Sequence, residues 1–524
     1  MNSRTSLFRT LLLAATVFLA AGLSAQTETP SDEVTQESLR FAKVYSLVEE
    51  NLAQPVDPDR AIFDGGIRGM LRVLDPFSSF FDQDQFQQLK DQTQGKTRGF
   101  GSILYVQPGK IMVLQAAEGS PAGRAGLGPG DEIVEVNGTR IDRLDLDSLV
   151  RLLQRARSQR VRLGVVRPGQ VVAQDFELSP AEVNMPSVDQ AFLLEPGIAY
   201  IHVSSFDQKT AREIASAVER LGGASLKGAL LDLRNNFGGV LDSAVQAASL
   251  FLPAEQAVLT VRGRTRPEKT ENTRSVGASF ETPLIALING NTASAAEVLV
   301  AALQEHDRAL IVGQPSFGKG VVESVSELSE GTGLVLTTAQ YFTPSGRSLQ
   351  RPIPGTLLAE ATAGGDPASA ARPEFRTAAG RPVTAGGGIT PDVLVPGREL
   401  DPWAAFLNQR GTFTTFSSEF LTTSGRVKRS FEPDAAVLDK FRDFLERQSI
   451  RVPEEYWGED QDFLKLRIKT ELFSLVFGLD VAEEIETRAD PQVRKAASLF
   501  PKIPQLLKAS APKKVTSPSK QTVR

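Results

Sequence analysis

Five short apolar runs between residues 190 and 397 limit the fold more than any other feature. Ile198–Val203, Gly228–Leu233, Leu284–Ile288, Ala309–Val312 and Leu334–Phe342 each have the length of a strand. Between them lie stretches of helical periodicity at Thr210–Leu221, Leu241–Leu252 and Ala295–Glu305. Strands that alternate with helices predict an α/β layer around a mixed sheet. Two Gly- and Pro-rich excursions interrupt the alternation, and the one from about 355 to 388 is long enough to be a functional surface loop.

The junctions of this layer carry the chemistry. Ser294 lies in Asn289-Gly290-Asn291-Thr292-Ala293-Ser294-Ala295-Ala296-Glu297, between the end of one apolar run and the start of a helical one. Such a strand-to-helix turn exposes a hydroxyl at a helix N-terminus, where free N–H groups and the positive dipole end can stabilise an oxyanion. Lys319 lies in Gly318-Lys319-Gly320, shortly after Ala309–Val312. A serine hydroxyl needs a base to take its proton, and a lysine amine can serve once it is neutral. Desolvation between packed strands disfavours the charged amine. The competing reading of Ser294 is a plain helix N-cap, the commonest role of a serine at such a boundary.

Several ordered motifs decide between the two. Asn-x-x-Thr-Ala-Ser-Ala-Ala-Glu followed by Ser316-Phe317-Gly318-Lys319-Gly320 resembles the Ser–Lys dyad region of the C-terminal processing (tail-specific) peptidases, and the 25-residue spacing of Ser294 and Lys319 matches that pattern. Upstream, Leu231-Asp232-Leu233-Arg234-Asn235-Asn236-Phe237-Gly238-Gly239 is similar to a glycine-ending stretch of the same family. Downstream, Gly386-Gly387-Gly388-Ile389-Thr390-Pro391-Asp392 resembles its closing motif. Near the start, Gly69-Met70 and Leu74-Asp75-Pro76-Phe77-Ser78-Ser79-Phe80 resemble its opening segment, with Phe77 where the family often has histidine. The similarity runs from about residue 40 to 397.

This resemblance implies a serine endopeptidase that cleaves protein substrates near their C-termini through an acyl-enzyme. Ser294 is then the nucleophile and Lys319 the general base. The N–H groups of Gly239 and Ala295 form the oxyanion hole, with Gly238 the near alternative. Glu323 departs from the pattern, because the family usually has glutamine four residues after the lysine. An ionised Glu323 favours the charged lysine and opposes its use as a base. Either Glu323 points away, or it is protonated, or the enzyme works best at higher pH. A rival reading, a PDZ-based peptide-binding protein with a weakened or inactive peptidase core, draws its support from Glu323.

Residues 96–182 have a different texture. Arg98-Gly99-Phe100-Gly101-Ser102-Ile103-Leu104 leads into strand-like Ile111–Leu114, then Pro129-Gly130-Asp131-Glu132-Ile133-Val134, a helical stretch from Leu144 to Ala156, and a last strand at Val161–Val166. The order resembles a PDZ domain of the bacterial protease type. Bare N–H groups of the loop Gly99, Phe100, Gly101 and Ser102 can hold a chain-terminal carboxylate, while the adjacent strand edge accepts an extended peptide. The resemblance implies protein or peptide partners with free apolar C-termini.

Composition excludes several classes. The 524-residue chain is too long for one core. A net charge of −5 gives no electrostatic case for nucleic acid. The chain has no cysteine, which removes thiol nucleophiles, disulfides and thiolate metal sites. No His/carboxylate cluster has ligand spacing, so neither metal nor cofactor is expected. A Ser-His-Asp triad would need His202 or His306, and both read as structural histidines.

The expected organisation begins with a signal peptide at 1–25. Arg4 and Arg9 precede an apolar stretch, Leu11–Leu23, that is too short for a comfortable membrane span, and Ser24-Ala25 supply small residues for cleavage. Export to the periplasm, with no stable membrane span, follows. A polar linker (26–37), a helical N-terminal segment (38–95), the inserted α+β PDZ domain (96–182), the α/β peptidase core with its mixed sheet (190–397), a helical C-terminal accessory domain (400–508) and a polar, disordered tail (509–524) complete the multidomain α/β chain. An adaptor or a second copy of the chain is left open as a further partner.

Overall fold

In the computed structural model, residues 32–265, 267–276, 279–356, 375–459 and 461–508 are described. The expected signal peptide, the linker up to residue 31 and the tail from 509 lie outside the described residues.

The apolar runs build a six-stranded sheet in sequence order: β1 (Val188–Glu195), β2 (Ile198–Val203), β3 (Gly228–Asp232), β4 (Leu284–Ile288), β5 (Ala309–Gly313) and β6 (Val393–Leu394). β1 pairs antiparallel with β2, and every later pair is parallel. Because successive side chains face opposite sides, each run feeds two layers. Ile201, Leu231, Ala286 and Ile311 face α1 (Thr210–Leu221), α2 (Leu241–Ser249) and α3 (Ala295–Glu305). Tyr200, Leu230, Ile285 and Leu310 face the other way, onto Val493, Leu499, Phe500 and Ile503. That continuous apolarity is what a sheet covered on both faces requires.

The run expected at Leu334–Phe342 belongs elsewhere. As Gly333–Phe342 it is the backbone of a separate five-stranded antiparallel sheet with Ser79–Phe81, Ala257–Gly263, Lys269–Asn272 and Val321–Glu327. Its buried and half-buried positions roughly alternate, the pattern of a strand with one covered face, which separates it from the fully buried β4 and β5.

The segment around 96–182 forms its own sheet and core, with the helix Leu146–Arg157 packed on it. A strand at Gln174–Leu178 follows the expected last strand at Val161–Val166, and its mostly exposed side chains conceal it from a hydrophobicity reading. An antiparallel ribbon of Lys96–Gly99 and Ala181–Asn184 joins this unit to the rest.

At the N-terminus the helix starts at Asp32, so residues 32–37 of the expected linker are helical. Asp32 and Glu33 in its first turn favour that end of a helix. The helix buries no residue, and Phe41, Val44 and Leu47 are exposed. The C-terminal helices divide between two cores. Phe413, Phe416, Phe441, Phe444 and Phe463 pack among themselves, whereas residues 493–503 close the far face of the central sheet. Among the described residues, no helix is long and apolar enough to cross a membrane.

Candidate active site

The turn between β4 and α3 is strained at the residue the sequence singled out. Ser294 has φ 56° and ψ −121°, a region L-residues seldom occupy, and it is fully buried. Its Oγ has no hydrogen-bond partner among the described residues. A helix-capping hydroxyl would be bonded to a backbone N–H; this one is available for another role. Strand-to-helix turns that hold a serine this way present the hydroxyl to a substrate.

What holds the turn is Glu297, one helical turn further on and buried. Its Oε2 accepts from Ser294 N at 2.9 Å and from Lys319 N at 2.9 Å. Its Oε1 accepts from Gly318 N at 2.7 Å and from the Ser316 hydroxyl. One carboxylate therefore fastens the serine turn to the lysine loop. Burial pushes Glu297 up to about 7, against the pull of these four hydrogen bonds. Ser316 Oγ accepts in turn from Ile389 N at 2.6 Å, which ties in the Gly386–Asp392 motif. The Tyr341 hydroxyl donates to the carbonyl oxygens of both Ser294 and Lys319. The Ser-x-x-Glu spacing of a capping box was the available signal for Glu297, and its reach to residues 316–319 was not readable.

Lys319 is 4% exposed and its Nζ lies 2.8 Å from Glu323 Oε1. Glu323 is fully buried and does not point away. A register shift between Val322 and Glu323 accompanies this placement at the start of the strand Val321–Glu327. The Lys319 amine also lies over the Phe77 ring, 4.6 Å from its centroid, a cation–π distance. Asp75 sets Phe77 there by accepting from Phe77 N and Ser78 N, each at 2.7 Å. The Lys319 amine thus contacts both the Glu323 carboxyl group and an aromatic face.

The glycine pair comes from the loop after β3. A Cβ on Gly238 would meet Ser294 Cβ at 2.8 Å, and one on Gly239 would meet Phe206 O at 2.0 Å, so only glycine fits this approach. Gly238 N is already spent on Asn236 Oδ1 at 2.8 Å. Among the described residues Gly239 N and Ala295 N make no backbone hydrogen bond, which leaves those two donors for an oxyanion. Arg234, earlier in that loop, is clamped by Asp232, Asp490 and Gln492, the last two from the C-terminal helices. Burial pushes the Asp232 carboxyl up, but the Arg234 charge and hydrogen bonds override it and hold it below the usual range.

The histidines sit elsewhere. His306 Nε2 meets Ala257 O at 2.7 Å. His202 pairs with Asp189 at 2.5 Å; burial pulls it down, while the Asp189 hydrogen bond and nearby carboxylates outweigh that and lift it to about 9. Among the described residues no His, Cys, Asp and Glu group could hold a metal ion.

The loop Gly99–Ser102 opens onto a cavity of about 870 Å³ whose lining includes Leu153 and Ala156 of the nearby helix. Gly101 has φ 71° and lies so close to Ser120 that a Cβ would meet its Cβ at 2.3 Å. Phe100 N and Gly101 N carry no backbone hydrogen bond among the described residues.

Fold and site together define a serine-type peptidase joined to a PDZ domain. Residues 197–356 match peptidase family S41, and residues 112–167 match a PDZ domain. The carboxy-terminal-processing protease of Bartonella bacilliformis is 33% identical over 351 residues, covering 65% of this chain and 80% of that protein. The carboxyl-terminal-processing protease of Synechocystis is 31% identical over 360 residues, covering 65% and 83%. Among solved structures, the photosystem II D1 C-terminal processing protease is 25% identical with a TM-score of 0.37, over 69% of this chain and 93% of that one. The chain belongs to the C-terminal processing peptidase family.

Proposed function

We propose that this C-terminal processing protease works through a Ser294–Lys319 dyad, on exported protein substrates whose free C-termini are held by its PDZ domain. The observation that carries the dyad is the shared Glu297 carboxylate, which binds the backbone of both residues and leaves the Ser294 hydroxyl unbonded. Neutral Lys319 takes the hydroxyl proton as Ser294 attacks the scissile carbonyl, and returns it to the leaving amine. Gly239 N and Ala295 N receive the oxyanion; such fixed donors need no reorganisation as charge develops. Water then releases the acyl group by the reverse sequence.

Glu323 governs how Lys319 becomes a base. The amine loses its proton either to solvent as pH rises or to Glu323 across the 2.8 Å contact. Export rests on the basic and apolar N-terminus. Tail capture rests on the unbonded N–H groups of Phe100 and Gly101 beside an apolar cavity.

A serine-directed fluorophosphonate tests the dyad. Wild type should be labelled and should cleave a peptide with a free apolar C-terminus; Ser294→Ala should do neither. Lys319→Ala should lose at least about 10³-fold in turnover per folded molecule, because nucleophile and base act as a unit. Near wild-type turnover in Lys319→Ala would remove the lysine from the mechanism.

A further inference from the structure

The tail-binding cavity is not made by the PDZ domain alone. Leu479, Asp480 and Glu483, from the helix Leu479–Ala489 of the C-terminal helical domain, line the same space as Gly99–Ser102, and Asp189 of β1 joins them. Asp189 has a cationic partner in His202, lifted to about 9. The other two carboxylates have glutamines as their hydrogen-bond partners, and the His202 charge acts on Glu483 only weakly, after the larger effects of burial and the neighbouring carboxylates. Asp480 accepts from Gln115 Nε2 at 3.1 Å, and Glu483 accepts from Gln190 Nε2 at 2.8 Å. Neither forms an ion pair with a lysine or arginine among the described residues. Burial first, and then the charges of Asp189 and Asp480, push Glu483 up to about 7. A cation entering this part of the cavity would relieve that crowding.

The position of the wall relative to a bound tail follows from register. Ile103, on the strand Ser102–Gln107 that leaves the loop, is exposed and directly opposite Gln115, so the two side chains share a face. Gln115 is the residue that bonds Asp480. A tail added along Ser102–Gln107 sends alternate side chains toward that face. At the other end of the loop, Arg98 and Arg157 line the cavity and suit a terminal carboxylate. The cavity is apolar within and carries opposite charges on its walls.

We propose that the C-terminal helical domain makes this cavity selective for protein tails that carry a lysine or arginine shortly before an apolar carboxy terminus, with Asp480 and Glu483 as the specificity-determining residues. The proposal rests on the reading of Gly99–Ser102 as the carboxylate-binding loop, and the experiment separates the two.

The full chain carrying Ser294→Ala, which cannot cleave, is titrated by fluorescence anisotropy with labelled peptides that share an apolar terminal residue. Lysine, norleucine or glutamate is placed in turn at each position upstream. At one position lysine should bind about fivefold or more tighter than norleucine, with glutamate weaker still and the gap shrinking as salt is raised. Asp480→Asn combined with Glu483→Gln should bring lysine and norleucine peptides to equal affinity, erasing the lysine advantage. No lysine advantage at any position, or one that survives the double substitution, overturns the proposal while leaving tail capture intact. An amidated norleucine peptide that binds as well as its free acid, or a failure of every peptide to bind, overturns the loop reading and this inference with it.

Discussion

The serine turn and the cavity beside Gly99–Ser102 are built on opposite plans. Around Ser294, four donors from two loops converge on one buried carboxylate, and the whole arrangement lies within a single α/β unit. Beside the cavity, the PDZ unit meets the C-terminal helices through separate hydrogen bonds. Tyr105 OH donates to Gly411 O at 3.2 Å, Gln107 Nε2 to Arg410 O at 2.7 Å, and Gln115 to Asp480 at 3.1 Å. Bond-making tolerates errors of well under an ångström, so its groups need redundant, dry support. Separate contacts of about 1 kcal/mol each let a joint open locally.

The largest effect should come from removing the shared carboxylate. Glu297→Ala leaves the buried N–H groups of Ser294, Gly318 and Lys319 without an acceptor, and should cost about 3–5 kcal/mol of stability with at least a 100-fold fall in kcat. Denaturant titration and steady-state kinetics read the two. Glu297→Gln should retain more of each, since an amide oxygen still accepts. Its pH response has a definite sign. Burial raises this carboxyl from 4.5 to about 7 in the fold. Its contribution to stability is therefore complete below about 4.5 and lost as pH rises through 7. From pH 5 to 8, wild type should lose more in Tm than Glu297→Gln does. Equal slopes would place the carboxylate outside the titrating set.

On the cavity side the expected loss is in binding and not in turnover. Gly101→Ala forces a positive φ on a Cβ that collides with Ser120, so KM for tailed substrates should rise about tenfold with kcat nearly constant. A matching fall in kcat would mean that the loop reaches the reaction centre and would blur the contrast between the regions.

Glu323→Gln should act in the opposite direction to most changes. Replacing the carboxylate beside Lys319 removes the charge that favours the ammonium, so the rising limb of the pH–rate profile should move to lower pH. Activity near pH 7 should increase about three- to tenfold. An unmoved profile would show that Glu323 does not take part in the proton balance, and complete loss would make the carboxylate itself essential. The smallest effect belongs to Gln107→Ala at the contact with Arg410: about 1 kcal/mol or less in stability and under about twofold in kcat. Faster proteolysis between the PDZ and helical domains would be its signature.

The features legible in sequence were those set by near neighbours. Continuous apolar runs announced buried strands, and four of the five expected in the central sheet are there, the fifth having joined the second sheet. A serine at a strand-to-helix boundary and a lysine after the next strand marked the site, because both positions depend on the elements that flank them. Glu323 was visible as a departure from its family, yet whether it faced Lys319 depended on a shift in strand pairing with Gly333–Phe342. The role of Phe77 was hidden for a similar reason. It stands 242 positions before Lys319 and reaches it only because Ser79–Phe81 joins the edge of the second sheet.

Periodicity reports which face of an element is apolar and is silent about what covers it. Residues 493–503 showed the helical and apolar character of the C-terminal segment, but packing against Tyr200, Leu230 and Leu310 made them part of the peptidase layer. Leu479, Asp480 and Glu483 likewise look in sequence like the start of an ordinary amphipathic helix. Their place in the wall of the cavity beside Gly99–Ser102 comes from the docking of two domains, a sum of weak nonlocal contacts that no local pattern encodes. Local composition settled the strands, the serine turn and the loop glycines; burial across long sequence separations decided the charge around Lys319 and the walls of the cavity.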